Sequence, residues 1–205
     1  CTVAIGLEAY DDRVLRFHVN KGFTKKQWHS AVQMLRDNNL RVKTYLLFKP
    51  PFMSEGDALV HTTSWLTKVA PYSDEVSVNP MNIQKNTIVD RLFRNKEYRP
   101  PWLWSLVEMI LRSHQNLGDD SCRIIVHPTA GGKIRGAHNC GECDSEVVAA
   151  IERYSVSGDT EEFSHLACSC KSHWRAEIDN DSSFPLPLGF GTFRRGNPTE
   201  IVRAP

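Results

Sequence analysis

Four short stretches are apolar at nearly every position: residues 2–8, Val42 to Phe48, Val76-Ser77-Val78, and Cys122 to His127. Runs of this length, rich in β-branched and aromatic residues, predict strands of a parallel sheet buried on both faces. Between them the apolar positions return every three or four residues. Trp28, Ala31, Val32 and Leu35 carry that spacing after Thr24, a good N-cap, and predict a helix over 25–38. Ser54 is expected to cap a helix over 55–69. Asp11 or Asp12 can cap a short helix through Phe17, and further helices are predicted over 85–93 and 102–112. Pro50-Pro51 stops the second strand, Asn79-Pro80 ends the third, and Pro100-Pro101 separates the last two helices.

Strands alternating with helices of this length imply parallel βαβ units and an α/β fold. Right-handed crossovers then build either an open doubly wound sheet or part of a (β/α) barrel. Chemistry gathers at the strand C-termini in both. That singles out Glu8, Lys49 and the stretch Asn79 to Gln84. The chain starts at Cys1 and runs at once into a core-type strand. It is therefore expected to be the C-terminal part of a longer protein, the alternative being a terminal strand at a sheet edge. The open edge of an incomplete barrel predicts poor solubility in isolation.

After Pro128 the pattern changes. Residues 129–144 are rich in Gly and Cys, a short amphipathic helix is predicted over 145–154, and periodicity fades from Ser182 onward. The expected organisation is a barrel portion over 1–127, a small Cys-rich extension over 128–181, and an irregular tail over 182–205. Hydrophobic residues at 40% and charged residues at 24% argue against intrinsic disorder. Lys plus Arg total 25 against 24 for Asp plus Glu, so binding of nucleic acid by bulk charge is disfavoured while local basic patches stay open. No apolar run approaches the ~20 residues of a membrane helix.

Cys140-x2-Cys143 and Cys168-x-Cys170 form two tight pairs, and no secretory signal pattern opens the chain. Close pairs then read as metal ligands rather than disulfides. Four thiolates in two arms can surround one Zn²⁺ or hold an auxiliary iron–sulfur cluster, and the spacing does not separate the two. His138, His165 or His173 could replace a thiolate, and buried free thiols are the bland alternative. A Gly-rich segment this small favours structural zinc. Cys122, on an apolar strand, reads as core. Asn79, Asn82 and Gln84 suit hydrogen bonding to a base edge or substrate, or else a plain Asx-turn. Lys49, between an apolar strand and two prolines, is a candidate substrate contact. Arg91, Arg94, Lys96 and Arg99 precede Trp102 and Trp104. Basic residues beside aromatics suit RNA with a splayed base, although Trp at this spacing also reads as core.

Ile5-Gly6-Leu7-Glu8-Ala9-Tyr10-Asp11-Asp12-Arg13-Val14-Leu15, followed by Asn20-Lys21-Gly22-Phe23-Thr24, resembles the latter half of a radical S-adenosylmethionine (SAM) core. More specific are Tyr45-Leu46-Leu47-Phe48-Lys49-Pro50-Pro51-Phe52, Val78-Asn79-Pro80-Met81-Asn82-Ile83-Gln84, Glu97-Tyr98-Arg99-Pro100-Pro101-Trp102-Leu103-Trp104-Ser105 and Arg135-Gly136-Ala137-His138-Asn139-Cys140-Gly141-Glu142-Cys143-Asp144. Together these resemble the radical-SAM subunits of archaeosine synthases, over roughly residues 3–175.

The resemblance implies a partial (β/α) barrel, of which this chain holds about the second half, and SAM with a [4Fe–4S] cluster as cofactors. It implies cleavage of a lysine-modified 7-deazaguanine in tRNA to archaeosine, a lysine transferase partner subunit, and a cytoplasmic setting. Glu8 would bond the SAM ribose, Lys21 the methionine carboxylate, and Thr44 and Asn79 would complete the cofactor site. Lys49, Asn82, Gln84 and Arg99 would contact substrate. Each has a bland reading beside it: a capping carboxylate, a loop lysine, a structural strand threonine. The family's Cys-x3-Cys-x2-Cys motif is absent from these 205 residues and is expected upstream of Cys1, so this chain alone is expected to be inactive. Two rival readings stand: a non-catalytic metal-stabilised module binding RNA or protein, and a radical-SAM relative with another substrate.

Overall fold

A computed structural model describes residues 1–118 and 122–183. Strands β1 (Thr2–Glu8), β2 (Arg41–Phe48), β3 (Glu75–Pro80) and β4 (Arg123–Val126) form one sheet in the order β1-β2-β3-β4. All three pairings are parallel. The helices are α1 (Asp12–Val14), α2 (Lys25–Asp37), α3 (Glu55–Val69), α4 (Ile88–Arg94), α5 (Leu103–Leu117), α6 (Asp144–Ser157) and α7 (Cys170–Ser183). The expected order of strands and helices holds as far as α6.

Local chemistry sets the boundaries. Asp11 accepts from the Arg13 and Val14 amides, and α1 then widens into a π-type turn over Leu15–Val19. Thr24 and Gln27 form a reciprocal capping box at α2. Ser54 and Thr87 cap α3 and α4 through the amides of Asp57 and Asp90. Helix α5 runs five residues past the expected Arg112, because Leu117 still packs against the core. Helix α7 was not expected at all. Its sequence is polar, and Cys170, Trp174 and Ile178 give it a narrow apolar stripe. The irregular tail expected from Ser182 lies, from residue 184 on, outside the described residues.

In β2 the residues Val42, Thr44, Leu46 and Phe48 are buried, while Lys43, Tyr45 and Leu47 are half-buried. Val42, Leu46 and Phe48 share one core cluster with Trp28, Leu59, Leu66 and Met109 from the helices. The other set aligns with Glu75, Ser77 and Asn79 of β3, and Lys43 pairs with Glu75 at 2.6 Å. The Cys-rich segment is part of the same core: Val147, Ile151, Tyr154 and Trp174 belong to it. Ser155 of α6 satisfies both the N–H and C=O of Val126, which closes the β4 edge. Cys122 is half-buried against this core, and burial pushes its thiol up to about 11.

Candidate functional site

The C-terminal ends of β1 and β2 each carry an ion pair on a left-handed residue. Glu8 has φ 70° and follows a register shift after Gly6. Its Oε1 accepts from Lys21 Nζ at 3.0 Å, with both side chains about one-quarter exposed. Gly6 makes room for the pair. A Cβ there would lie 2.8 Å from Glu8 Oε1 and 3.3 Å from Lys21 Nζ. Lys49 has φ 56°, and its Nζ donates to Glu55 Oε2 at 2.6 Å. This second pair is almost wholly buried, with side-chain exposures of 5% and 0%. Glu55 Oε1 accepts from the Trp102 amide at 2.9 Å, and Tyr98 donates its hydroxyl to Lys49 O at 2.7 Å. Burial, with Glu55 nearby, raises the Tyr98 pKa well above its ordinary value. Left-handed non-glycine residues of this kind cost about 1–3 kcal/mol each and cluster at functional sites.

Lys49 lines a cavity of about 460 Å³, bounded also by Met53, Phe93, Tyr98, Arg99 and His138. Asn79 stands half-buried at the end of β3, in register with Leu47. Asn82 is half-buried and Gln84 exposed in the loop that follows. That loop is pinned by Arg135, which bonds Ile83 O and, at 2.7 Å, Asp90. Arg135, the Asn86 amide and Arg94 together hold the Asp90 carboxyl at about 2. The structure therefore brings Glu8 with Lys21, and Lys49 with Arg99, to the strand-end rim. Thr44 stands apart. It is buried on the helix-covered face, and its hydroxyl meets Ser73 Oγ at 2.7 Å. Arg99 is committed to the carbonyls of Pro100, His138 and Asn139, with its guanidinium 3.9 Å from the centre of a Trp102 ring. Trp102 and Trp104 are buried, so they serve the core rather than offering an open stacking surface.

Cys140, Cys143, Cys168 and Cys170 converge, with their four sulfurs all within 4.8 Å of one another. The separations are 3.9 Å for Cys140–Cys143, 3.7 Å for Cys140–Cys168 and 3.7 Å for Cys143–Cys170. The group could hold a metal ion. Its first arm is a tight knuckle: Asp144 accepts from the amides of Asn139 and Gly141, and Gly141 turns at φ 97°. The amide of Cys143, aided by that of Glu142, brings the Cys140 thiol down to about 7. Burial pushes the thiols of Cys143 and Cys170 up. N–H groups reach the two buried sulfurs: Trp104 Nε1 to Cys170 at 3.2 Å and Asn139 Nδ2 to Cys143 at 3.4 Å. Such outer contacts orient metal ligands. The candidate histidines stay outside the group: His138 Nδ1 bonds Gly136 O, and His165 lies 3.7 Å from Glu146.

Sequence reasoning missed Glu55, Asn139 and Asp144. Glu55 reads as an ordinary acidic first-turn residue, and nothing local marks its burial. Asn139 and Asp144 flank the cysteine knuckle, and that position was the only available signal.

The chain is thus an α/β fold with a four-stranded parallel sheet, polar strand ends and a cysteine-rich segment packed into its core. A solved structure shares this fold. Elp3 of the archaeon Methanocaldococcus infernus, with residues 1–46 deleted, superposes with a TM-score of 0.56 at 13% identity, over 77% of this chain and 36% of that one. By sequence the chain is similar to two archaeosine synthase beta subunits. It is 33% identical to that of Methanosarcina acetivorans over 187 residues, 91% of this chain and 54% of the relative. It is 37% identical to that of Thermococcus kodakarensis over 179 residues, 87% of this chain and 55% of the relative. The chain thus spans about half the length of these curated relatives. No family model matches it. Among the described residues, no helix is long and apolar enough to cross a membrane.

Proposed function

We propose that this chain is the portion of a radical SAM tRNA-modifying enzyme that carries part of the SAM site, part of the substrate site and a structural metal. The observation that carries this reading is the homology to archaeosine synthase beta subunits across about nine-tenths of the chain. The substrate is then lysine-modified 7-deazaguanine in tRNA, the product archaeosine, and the partner a lysine transferase subunit, in the cytoplasm. SAM bound at a [4Fe–4S] cluster supplies a 5′-deoxyadenosyl radical in such enzymes. None of the cysteines here has the Cys-x3-Cys-x2-Cys spacing for that cluster.

The chain's own residues bind and orient. Glu8 and Lys21 are accessible, opposite in charge and 3.0 Å apart. Glu8 offers two acceptor oxygens to vicinal hydroxyls, and Lys21 a point charge to a carboxylate. Asn79 supplies an amide at the end of β3, two strands from Glu8. Lys49 lines the cavity that receives the substrate, with Asn82 and Gln84 on the neighbouring loop, and Arg99 stiffens the cavity wall.

The four cysteines hold zinc. Four Zn–S bonds of about 2.3 Å place tetrahedral sulfurs about 3.8 Å apart. Three of the six separations are 3.7–3.9 Å and all lie within 4.8 Å, which supports a single ion. A multi-iron cluster would set its irons between the thiolates and spread them further.

Two experiments test the proposal. The coding sequence upstream of Cys1 should contain an in-frame Cys-x3-Cys-x2-Cys motif; a start codon next to Cys1 would favour a non-catalytic module. The protein at its relatives' length, reconstituted anaerobically, should form archaeosine on lysine-modified tRNA. Cleavage of SAM without reaction on that tRNA would point to another substrate.

A further inference from the structure

The thiolate cluster and the substrate cavity meet at the N-terminus of α5. The first turn of a helix leaves N–H groups that need outside partners. Trp102, at the N-cap, gives no side-chain cap. Two distant residues do the work instead. The Trp102 amide donates to Glu55 Oε1 at 2.9 Å, and the Trp104 amide to Asn139 Oδ1 at 3.2 Å. Asn139 belongs to the knuckle and touches Cys143 Sγ, while the Trp104 indole donates to Cys170 Sγ. Arg99 adds a second link. It bonds the carbonyls of His138 and Asn139, and its guanidinium lies over a Trp102 ring. Beyond Glu55 the path ends at Lys49 Nζ, 2.6 Å away.

We infer that the metal-loaded cysteine cluster positions Lys49 in the cavity, acting through Asn139, Arg99, the α5 N-terminus and Glu55. This rests on the reading of the cluster as a metal site and of the cavity as a substrate site. The physical reason is shared dependence. Thiolates this close need a cation to stay together, and the knuckle has little apolar surface of its own. Released, it takes Asn139 and the Arg99 acceptors with it. Glu55 then loses a fixed helix terminus on one side, and its hold on Lys49 loosens on the other. Buried polar networks stand or fall as units in this way. Lys49 is thus a substrate contact, while Glu55, Arg99 and Asn139 are positioning residues.

The test is amine labelling of the purified chain, read residue by residue by mass spectrometry, with zinc content measured in parallel. Lys43 is the internal control, because it sits on β2, the strand that Lys49 follows, but is bonded to Glu75, away from the path. Removing zinc with a chelator should raise Lys49 labelling about tenfold, as local opening does, and leave Lys43 unchanged. Arg99→Lys should expose Lys49 while zinc stays bound, and chelation of that variant should add little more. Continued protection of Lys49 after zinc removal would overturn the inference. A parallel rise at Lys43 would overturn it too, by showing general unfolding. A chain that takes up no metal would overturn both this inference and the metal reading beneath it.

Discussion

Glu8–Lys21 and Lys49–Glu55 are the same kind of ion pair at the ends of neighbouring strands, set in opposite surroundings. The first is open to solvent on both partners. The second is closed on both, with the carboxylate shared between an ammonium and a helix N-terminus. An exposed pair is worth about 0–1 kcal/mol, so a ligand with a hydroxyl or carboxylate can replace either partner at little cost. A buried pair cannot be opened so cheaply, because removing one member strands the other away from water. Under the proposed function the difference assigns roles: the first pair would exchange its partners for a ligand, and the second holds a lysine at a fixed place.

Substitutions can break that contrast. Cys143→Ala should have the largest effect, because the proposed metal would anchor both the knuckle and the first residue of α7. We expect zinc to fall to background and stability to drop by on the order of 5 kcal/mol or more, measured by denaturant unfolding. Glu55→Ala should follow, with a loss of about 3–5 kcal/mol from the uncompensated buried Lys49. Glu8→Ala should shift stability by less than about 1 kcal/mol. In the complete enzyme the same change should weaken SAM binding about tenfold, the scale of one or two hydrogen bonds to a charged group. Equal stability losses for Glu8→Ala and Glu55→Ala would erase the distinction.

The smallest effect concerns His18, which is buried and bonded through Nδ1 to Pro51 O at 2.8 Å. Burial lowers its pKa from 6.5. The unfolded chain therefore takes up this proton first, so the contribution is complete above about pH 6.5 and fades as the pH falls toward the lower native value. Unfolding titrations between pH 7 and 5.5 should show that slope, and His18→Gln should flatten it.

Much of this was legible in the residues. Apolar runs and caps such as Thr24 with Gln27 mark strands and helix starts, because each is decided within a few residues. The convergence of the cysteine pairs was legible because thiolates suited to a metal come as close sets, and the four sulfurs do meet. What stayed hidden depends on distance in the chain. Thr44 has the strand parity of Val42 and Leu46, which turns it to the helix side, and parity alone does not say which side carries the ligand. The burial of Glu55 is set by Trp102, 47 residues on. Helix α7 has too few apolar positions to announce itself. It is held by Trp102 to Glu177, Trp174 to Ser105, and Asp181 on the Gly56 amide at the start of α3.

The four-thiolate site joins the fold to the cavity, and one measurement reaches it directly. Zinc and iron content of the purified chain, with X-ray absorption at the metal edge, should give about one zinc per chain, four sulfur ligands at about 2.3 Å, and no iron. Iron with sulfide, or no metal under anaerobic handling, would contradict the account.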